Sequence, residues 1–318
     1  MPAFDQHVAR WFHDHHGIAS SPDLAALGLT ERQRELLIAA GVLVPLFEGV
    51  YRLASSPLDF EARCTAVCAA DASLVLSCYT GGSLFGLRQC RHAFIHATTT
   101  RLTKPVGPQV KIHRTRELPD AHVLRRADGI RLTIPERVFF DMAKHVDDLV
   151  LLSIGEQIMA DGLASIESLA AVVAQLARPG RPGSARAMRV LARRSIAGKP
   201  ADSHDEVVLL DALHRAGLTG FERHPAVRLL GGTVVHPDMG DPAVGFYVEV
   251  DHPSWHDGVR ETDYDKSRDR QVRRTGAAVE RVTSSQIRGQ LSAAVDELRQ
   301  LYLDRVAQLG GGATRWVV

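Results

Sequence analysis

Helical periodicity opens the chain and strand alternation dominates its last third. From Phe4 to His16 (FDQHVARWFHDHH) the residues Val8, Trp11 and Phe12 recur on one side, which predicts an amphipathic helix stopped by Gly17. Ser20 or Ser21 is placed to cap a short helix over Pro22 to Ala26, with Pro22 in its first turn. Thr30 caps the next, Glu31 to Ala40 (ERQRELLIAA), where Gln33 at the third helical position completes a capping box and Gly41 ends the run. A turn of Leu27, Gly28 and Leu29 between two helices is a helix-turn-helix signal, and Val42 to Leu46 with Gly49 to Leu53 reads as a two-stranded wing. Far downstream, Ser203 to Ala216 predicts a helix with Val207, Leu210 and Leu213 on one face, Ser203 as cap and Glu206 in the first turn. Phe246 to Asp251 (FYVEVD) alternates as a strand. Asp263 to Thr275 is a charged helix ended by Gly276, Ala278 to Thr283 returns as a strand, and Ser292 to Leu309 is a closing helix.

A chain of 318 residues exceeds one comfortable core, so two or three domains are expected. With 45% hydrophobic and 24% charged residues the composition is that of ordinary globular protein, which excludes a disordered chain. The formal net charge of +1 does not exclude nucleic acid, because the charge is segregated: Arg178 to Lys199 holds seven basic residues and no acid. That stretch, bounded by Pro and Gly, reads either as a basic helix lying along phosphates or as a solvated linker. Cys64, Cys68, Cys78 and Cys90 lack a CxxC pair, and buried thiols suit them better than zinc. Cys64 and Cys68 are spaced to share one helix face. No opening signal peptide and no 18-residue apolar run is expected, so the reading is cytoplasmic, with no membrane span.

The strand Phe246 to Asp251 carries the chemistry. It sends Glu249 and Asp251 to one face, about 7 Å apart, and Val248 and Val250 to the other. Two carboxylates on so apolar a strand are costly to desolvate unless solvent or a divalent cation compensates them, and Asp238 is the obvious third ligand. An all-oxygen set suits Mg2+ or Mn2+, and the chemistry it implies is phosphodiester hydrolysis. The alternative at these positions is pairing of Glu249 and Asp251 with arginines on the following helix.

Two family resemblances follow from these motifs. The 203–290 region resembles PD-(D/E)XK nuclease-like domains related to very-short-patch repair endonucleases. It carries a Ser-x-x-Glu helix (Ser203, Glu206), Gly217-Leu218, Asp238, Glu249-x-Asp251, His256, an Asp-x-x-Arg-Asp helix (Asp265, Arg268, Asp269) and a Val279 to Thr283 strand. The resemblance implies a restriction-endonuclease-like α/β domain with a mixed central sheet, Asp238, Glu249 and Asp251 as metal ligands, and catalytic roles for these three with Glu206, His256 and Lys266. It departs from the signature in two places. Asp251 stands where the signature has Lys, so Lys266 is the candidate substitute, and His252 stands where many relatives have Gly. The helix-turn-helix from Leu24 to Gly41 and the phrase Gly49-Val50-Tyr51-Arg52-Leu53 resemble the winged-helix amino-terminal domain of AbiEi-type antitoxins. Ser77 to Leu87 and Arg131 to His145 resemble that family's second domain, with strands between them around Phe94 to Thr99 and Val110 to Arg114.

The expected organisation is therefore a multidomain α+β and α/β chain: a winged helix-turn-helix over 1–58, an α+β middle domain over 59–177, a basic helix or linker over 178–202, and the nuclease-like domain over 203–318. Its expected partner is double-stranded DNA, read by Arg32, Gln33 and Arg34 on the recognition helix and Arg52 on the wing. A cognate toxin and a homodimer are further partners to expect. Two functions compete, a metal-dependent DNA endonuclease directed by the winged helix and a non-enzymatic AbiEi-like repressor with an inactive nuclease fold.

Overall fold

The computed structural model of the protein describes residues 6–102, 106–193, 201, 203–251 and 270–310. The chain is a mixed α/β fold that forms two compact units, one within residues 1–146 and 164–189, the other within 147–163 and 190–318. The helix at 148–160 falls within the second of these units. Among the described residues no helix is long and apolar enough to cross a membrane.

The first unit begins α1 (Gln6–Asp14), β1 (Ile18–Ser20), α2 (Ser21–Ala26), α3 (Glu31–Ala39), β2 (Leu43–Phe47) and β3 (Val50–Leu53). Both short helices start from reciprocal caps. Ser20 Oγ accepts from the Asp23 amide (3.3 Å) while Asp23 accepts from the Ser20 amide (2.8 Å), and Thr30 and Gln33 repeat the pattern. Gly49, at a φ of +70°, makes the β2–β3 turn. The three strands lie in the order β1-β3-β2, all antiparallel, and Val8, Phe12, Leu24, Leu37, Leu43 and Tyr51 fill the core between helices and sheet.

The unit continues with α4 (Phe60–Ala70), β4 (Val75–Leu76), α5 (Cys78–Leu84), β5 (Ile95–Thr99), β6 (Val110–Arg114), β7 (Val123–Arg125), β8 (Arg131–Thr133) and α6 (Pro135–Met142). Its sheet runs β6-β5-β4-β8-β7, with β5/β6 and β4/β8 parallel and the other pairs antiparallel. Cys64 and Cys68 share the buried face of α4 with Leu74, Leu76, Ile95 and Leu132, and all four cysteines are free and buried. The Gly81-Gly82 pair lets α5 lie flush on its neighbours, since a Cβ on Gly82 would stand 2.3 Å from Cys90 Sγ. After α7 (Asp148–Ala160) of the second unit come α8 (Ile166–Leu176) and α9 (Ser184–Arg193), the helix expected inside the basic stretch.

The second unit adds α10 (His204–Arg215), β9 (Glu222–Arg223), a separate two-stranded ribbon of β10 (Val227–Arg228) and β11 (Val234–Val235), β12 (Met239–Asp241) and β13 (Phe246–Asp251). Helix α11 is described over 270–274. It is followed by β14 (Ala278–Thr283), α12 (Ser284–Gly289) and α13 (Leu291–Gly310). The sheet is mixed, in the order β14-β13-β12-β9. β13 runs parallel to β14 from Phe246↔Ala278 to Asp251↔Thr283, and the remaining pairs are antiparallel. Phe246, Val248 and Val250 enter the core with Leu209, Leu213, Met239 and Leu298, while Tyr247 packs on the other side with Val227, Val272 and Val279. The expected alternation of β13 is present, and it sets Glu249 and Asp251 on the Tyr247 side.

Candidate functional site

The acids predicted to act together lie in three places of the second unit: Glu249 on β13, Asp238 just ahead of β12 and Glu206 on α10. Glu249 is buried in the middle of the sheet, flanked by Arg281 in the β14 register. Asp238 immediately precedes β12, whose first residue Met239 pairs with Val248, the neighbour of Glu249 on β13. One Asp238 oxygen, Oδ2, accepts from the Val250 amide (2.7 Å), which holds this half-buried carboxylate against β13. The Asp238 carbonyl accepts from the His224 amide (3.0 Å). Glu206 enters from the first turn of α10, where its amide donates to the Ser203 cap (3.1 Å), and its side chain is buried.

Two neighbours were missed by the sequence reading. His224 Nε2 stands 3.7 Å from Glu206 Oε2, and both side chains are buried. His224 holds a φ of +44°, a left-handed conformation that a non-glycine residue adopts at a cost, and His236 Nδ1 donates to its carbonyl (3.0 Å). Neither histidine stands at a recognisable ligand spacing, so local pattern gave no signal. Beside Glu206, Asp205 is buried and accepts two bonds from Arg288 (3.1 and 2.8 Å).

Asp251 has a partner within the sheet. Its carboxylate forms an ion pair with Arg281 on β14, with side chains 41% and 32% exposed, so an arginine already answers the charge assigned to a metal. His256 and Lys266 lie outside the described residues. Glu206, Asp238 and Glu249 offer oxygen donors, the kind a hard divalent ion takes together with water and substrate oxygens. Among the described residues, however, the group of three with ligand atoms within 4.8 Å of one another is Cys78, His96 and His113 in the first unit. That group could hold a metal ion, and nothing in it selects Mg2+ or Mn2+.

The expected DNA-reading side chains are mostly engaged. Gln33 Oε1 accepts from both the amide (2.8 Å) and hydroxyl (2.9 Å) of Thr30, so its amide group serves the cap rather than a base edge. Arg34 bonds Glu31 (2.9 Å) and lies over the Tyr51 ring, 5.6 Å from its centroid. Arg52 turns back onto the carbonyls of Ala54 and Ser56. Arg32 is exposed, as is Leu36 on the same helix. The basic stretch is similarly occupied. Arg178 donates to both Glu117 oxygens (2.5 and 2.6 Å), which holds that carboxyl below its ordinary range. Arg181 bonds the Leu176 carbonyl (2.8 Å) and covers Phe140, Arg186 bonds the Ala143 carbonyl (2.9 Å), and Arg193 bonds Asp211 (2.6 Å).

Compared with known proteins, the chain matches no family model and no curated protein.

Proposed function

We propose that the protein acts on double-stranded DNA, with the second unit hydrolysing phosphodiesters through Mg2+ or Mn2+ held by Asp238 and Glu249. The observation that carries this reading is the hydrogen bond from the Val250 amide to Asp238, which holds that acid against the strand of Glu249, inside a frame of helix, three antiparallel strands, helix and parallel strand. That frame and those acids are the ones the PD-(D/E)XK resemblance leads one to expect. A bound divalent ion would supply an activated water and neutralise charge on the leaving oxygen. The chain's own work is positional. The Val250 amide fixes one oxygen of Asp238 against β13, β13 carries Glu249, and His224 stands beside Glu206 at the head of α10.

The amino-terminal part supports the DNA half of the proposal. Its order of helix, strand, two helices and two strands, with the sheet β1-β3-β2, suits a winged helix. With Gln33, Arg34 and Arg52 engaged, Arg32 is the contact we assign to DNA among the predicted four.

One observation favours a second reading. The Asp251–Arg281 pair occupies the place where the nuclease signature has a charge-stabilising Lys, which suits a nuclease fold that binds without cutting, as in an AbiEi-like repressor working with a cognate toxin. The deciding experiment is cleavage of plasmid and mismatched duplex DNA with Mg2+ or Mn2+ by wild type and Asp238→Ala, alongside DNA binding. Cutting by the wild type that is lost in the variant supports the nuclease. Sequence-specific binding without cutting supports the repressor.

A further inference from the structure

We propose that Cys78, His96 and His113 form a binding site for Zn2+ or a similar borderline transition-metal ion in the first unit, separate from the carboxylates of the second.

The three donors come from three places in the fold. Cys78 opens α5, His96 lies on β5 of the five-stranded sheet, and His113 lies on β6, two residues beyond Lys111, the parallel partner of His96. Their ligand atoms all lie within 4.8 Å of one another, and Cys78 and His96 are buried. His96 Nδ1 and His113 Nε2 are 2.9 Å apart. Two imidazole nitrogens bound to one tetrahedral Zn2+ at about 2.0–2.1 Å stand about 3.4 Å apart, so an ion enters with a shift of roughly half an ångström. A thiolate and two imidazoles form a nitrogen–sulfur set, which selects zinc-like ions over Mg2+.

The surroundings are those of a ligand set rather than of chance contact. The far nitrogen of His96, Nε2, lies 3.2 Å from His92 Nδ1, which also accepts from the Phe94 amide (3.1 Å), so with Nδ1 on the metal the remaining N–H shares that acceptor. His92 stacks on Tyr79 (centroids 4.7 Å apart), and the His145 ring lies 5.4 Å from that of His113. Cys78 holds a φ of +50°, and Ser77 ahead of it makes no side-chain cap bond to α5. The backbone there adopts a strained conformation that helix capping does not explain.

Three protein donors leave a tetrahedral ion one position short. His113 also lines a cavity of about 520 Å3 whose wall carries Arg114, Arg116, Lys144 and Arg181. Water, or an anion drawn by those cations, fits that fourth position.

The test is titration of chelator-treated, full-length protein with Co2+ and then Zn2+. The expected result is one equivalent of Co2+ with a thiolate-to-cobalt charge-transfer band, displaced by Zn2+. The band disappears in Cys78→Ser and persists in Cys64→Ser and in Asp238→Ala, which separates this site from other thiols and from the acids. His113→Gln removes stoichiometric binding, and His92→Gln weakens it by roughly 10–100-fold. Circular dichroism confirms that each variant is folded, and the wild-type stoichiometry alone is decisive if one is not. A folded wild type that binds no equivalent of Co2+ or Zn2+, or a band that survives Cys78→Ser, overturns the proposal.

Discussion

The acids of the second unit and the imidazole–thiol group of the first meet burial in opposite ways. Around β13 and α10 the groups are carboxylates, from buried Asp205 and Glu249 to half-exposed Asp251, and donors meet several of them: the Val250 amide for Asp238, Arg281 for Asp251, Arg288 for Asp205. Around β5 the buried groups stay neutral. Burial and mutual repulsion lower His96 and His113, so the cluster needs no counter-ion to exist in the fold. The difference teaches what each site can take. A charged oxygen set calls for a hard cation, and a neutral nitrogen–sulfur set waits for a softer one.

The sharpest break in that comparison is a crossed pair of variants. Glu249→Gln keeps the shape of its side chain and removes the charge, so it should lower Mn2+-supported cleavage by roughly a thousandfold, as loss of several kcal/mol of metal-mediated stabilisation requires. It should leave the Co2+ band of the first unit unchanged. Cys78→Ser should do the reverse. Initial cleavage rates and absorbance on the same preparations check both, and equal loss of both signals in either variant would mean that the two sites are not independent.

The next effect is on stability. Glu156 on α7 is fully buried and is held by Arg223 on β9, the strand that pairs with β12, and by the Ala201 amide (3.2 Å). Arg223→Met leaves that carboxylate without its guanidinium, a change expected to cost about 3 kcal/mol. The urea midpoint measures it. Since His224 follows Arg223 directly and touches Glu206, cleavage should fall with stability in this variant, whereas the Co2+ band should not move.

What the sequence disclosed follows from how local each feature is. The β13 alternation needs six consecutive residues, and the Thr30–Gln33 box needs four, so both were readable and both are present. The cysteines were read by their spacing to one another, which showed thiols but hid the group that matters. Cys78, His96 and His113 are 18 and 17 residues apart and meet only because β5 and β6 pair in parallel beside α5. His224 reached Glu206 by the same non-local route. The DNA-reading residues show a different limit. Gln33 was given two tasks, capping and base reading, and one side-chain oxygen already bonded to the Thr30 amide and hydroxyl is committed to the first. Nothing in the sequence ranks those tasks, because the balance depends on whether a partner for the cap is within reach.

Acid should separate the two regions more gently. For the chelator-treated chain, folded and unfolded states carry neutral His96 and His113 above the ordinary histidine value of 6.5. As pH falls through 6.5 the unfolded chain takes up protons first, while the folded imidazoles stay neutral down to about 4 for His113 and about 3 for His96. Stability of the first unit therefore drops across that window and levels off below it. Thermal midpoints recorded between pH 7 and pH 4 should fall more steeply for the wild type than for His96→Gln. Added Zn2+ should raise the wild-type midpoint at the upper end of the window and lose its effect as protons displace it. Equal slopes for wild type and variant would mean that the imidazoles titrate normally in the fold.

The smallest expected effect tests the amino-terminal module. Arg32 is exposed on α3, while Arg52 is folded onto the carbonyls that follow β3. If α3 lies against DNA, Arg32→Ala should weaken binding a few-fold, and if its contact is to phosphate, the slope of log affinity against log salt should fall by about one. Arg52→Ala should leave that slope unchanged and lower the melting midpoint instead, because it removes bonds that pin the turn after the wing. The two variants differ in charge by the same amount, so a general loss of positive field would move both slopes together. A slope that changes with Arg52 and not with Arg32 would place DNA on the wing, and would require the guanidinium to leave the Ser56 carbonyl when DNA binds. Fluorescence anisotropy at several salt concentrations, with melting curves on the same samples, distinguishes these outcomes.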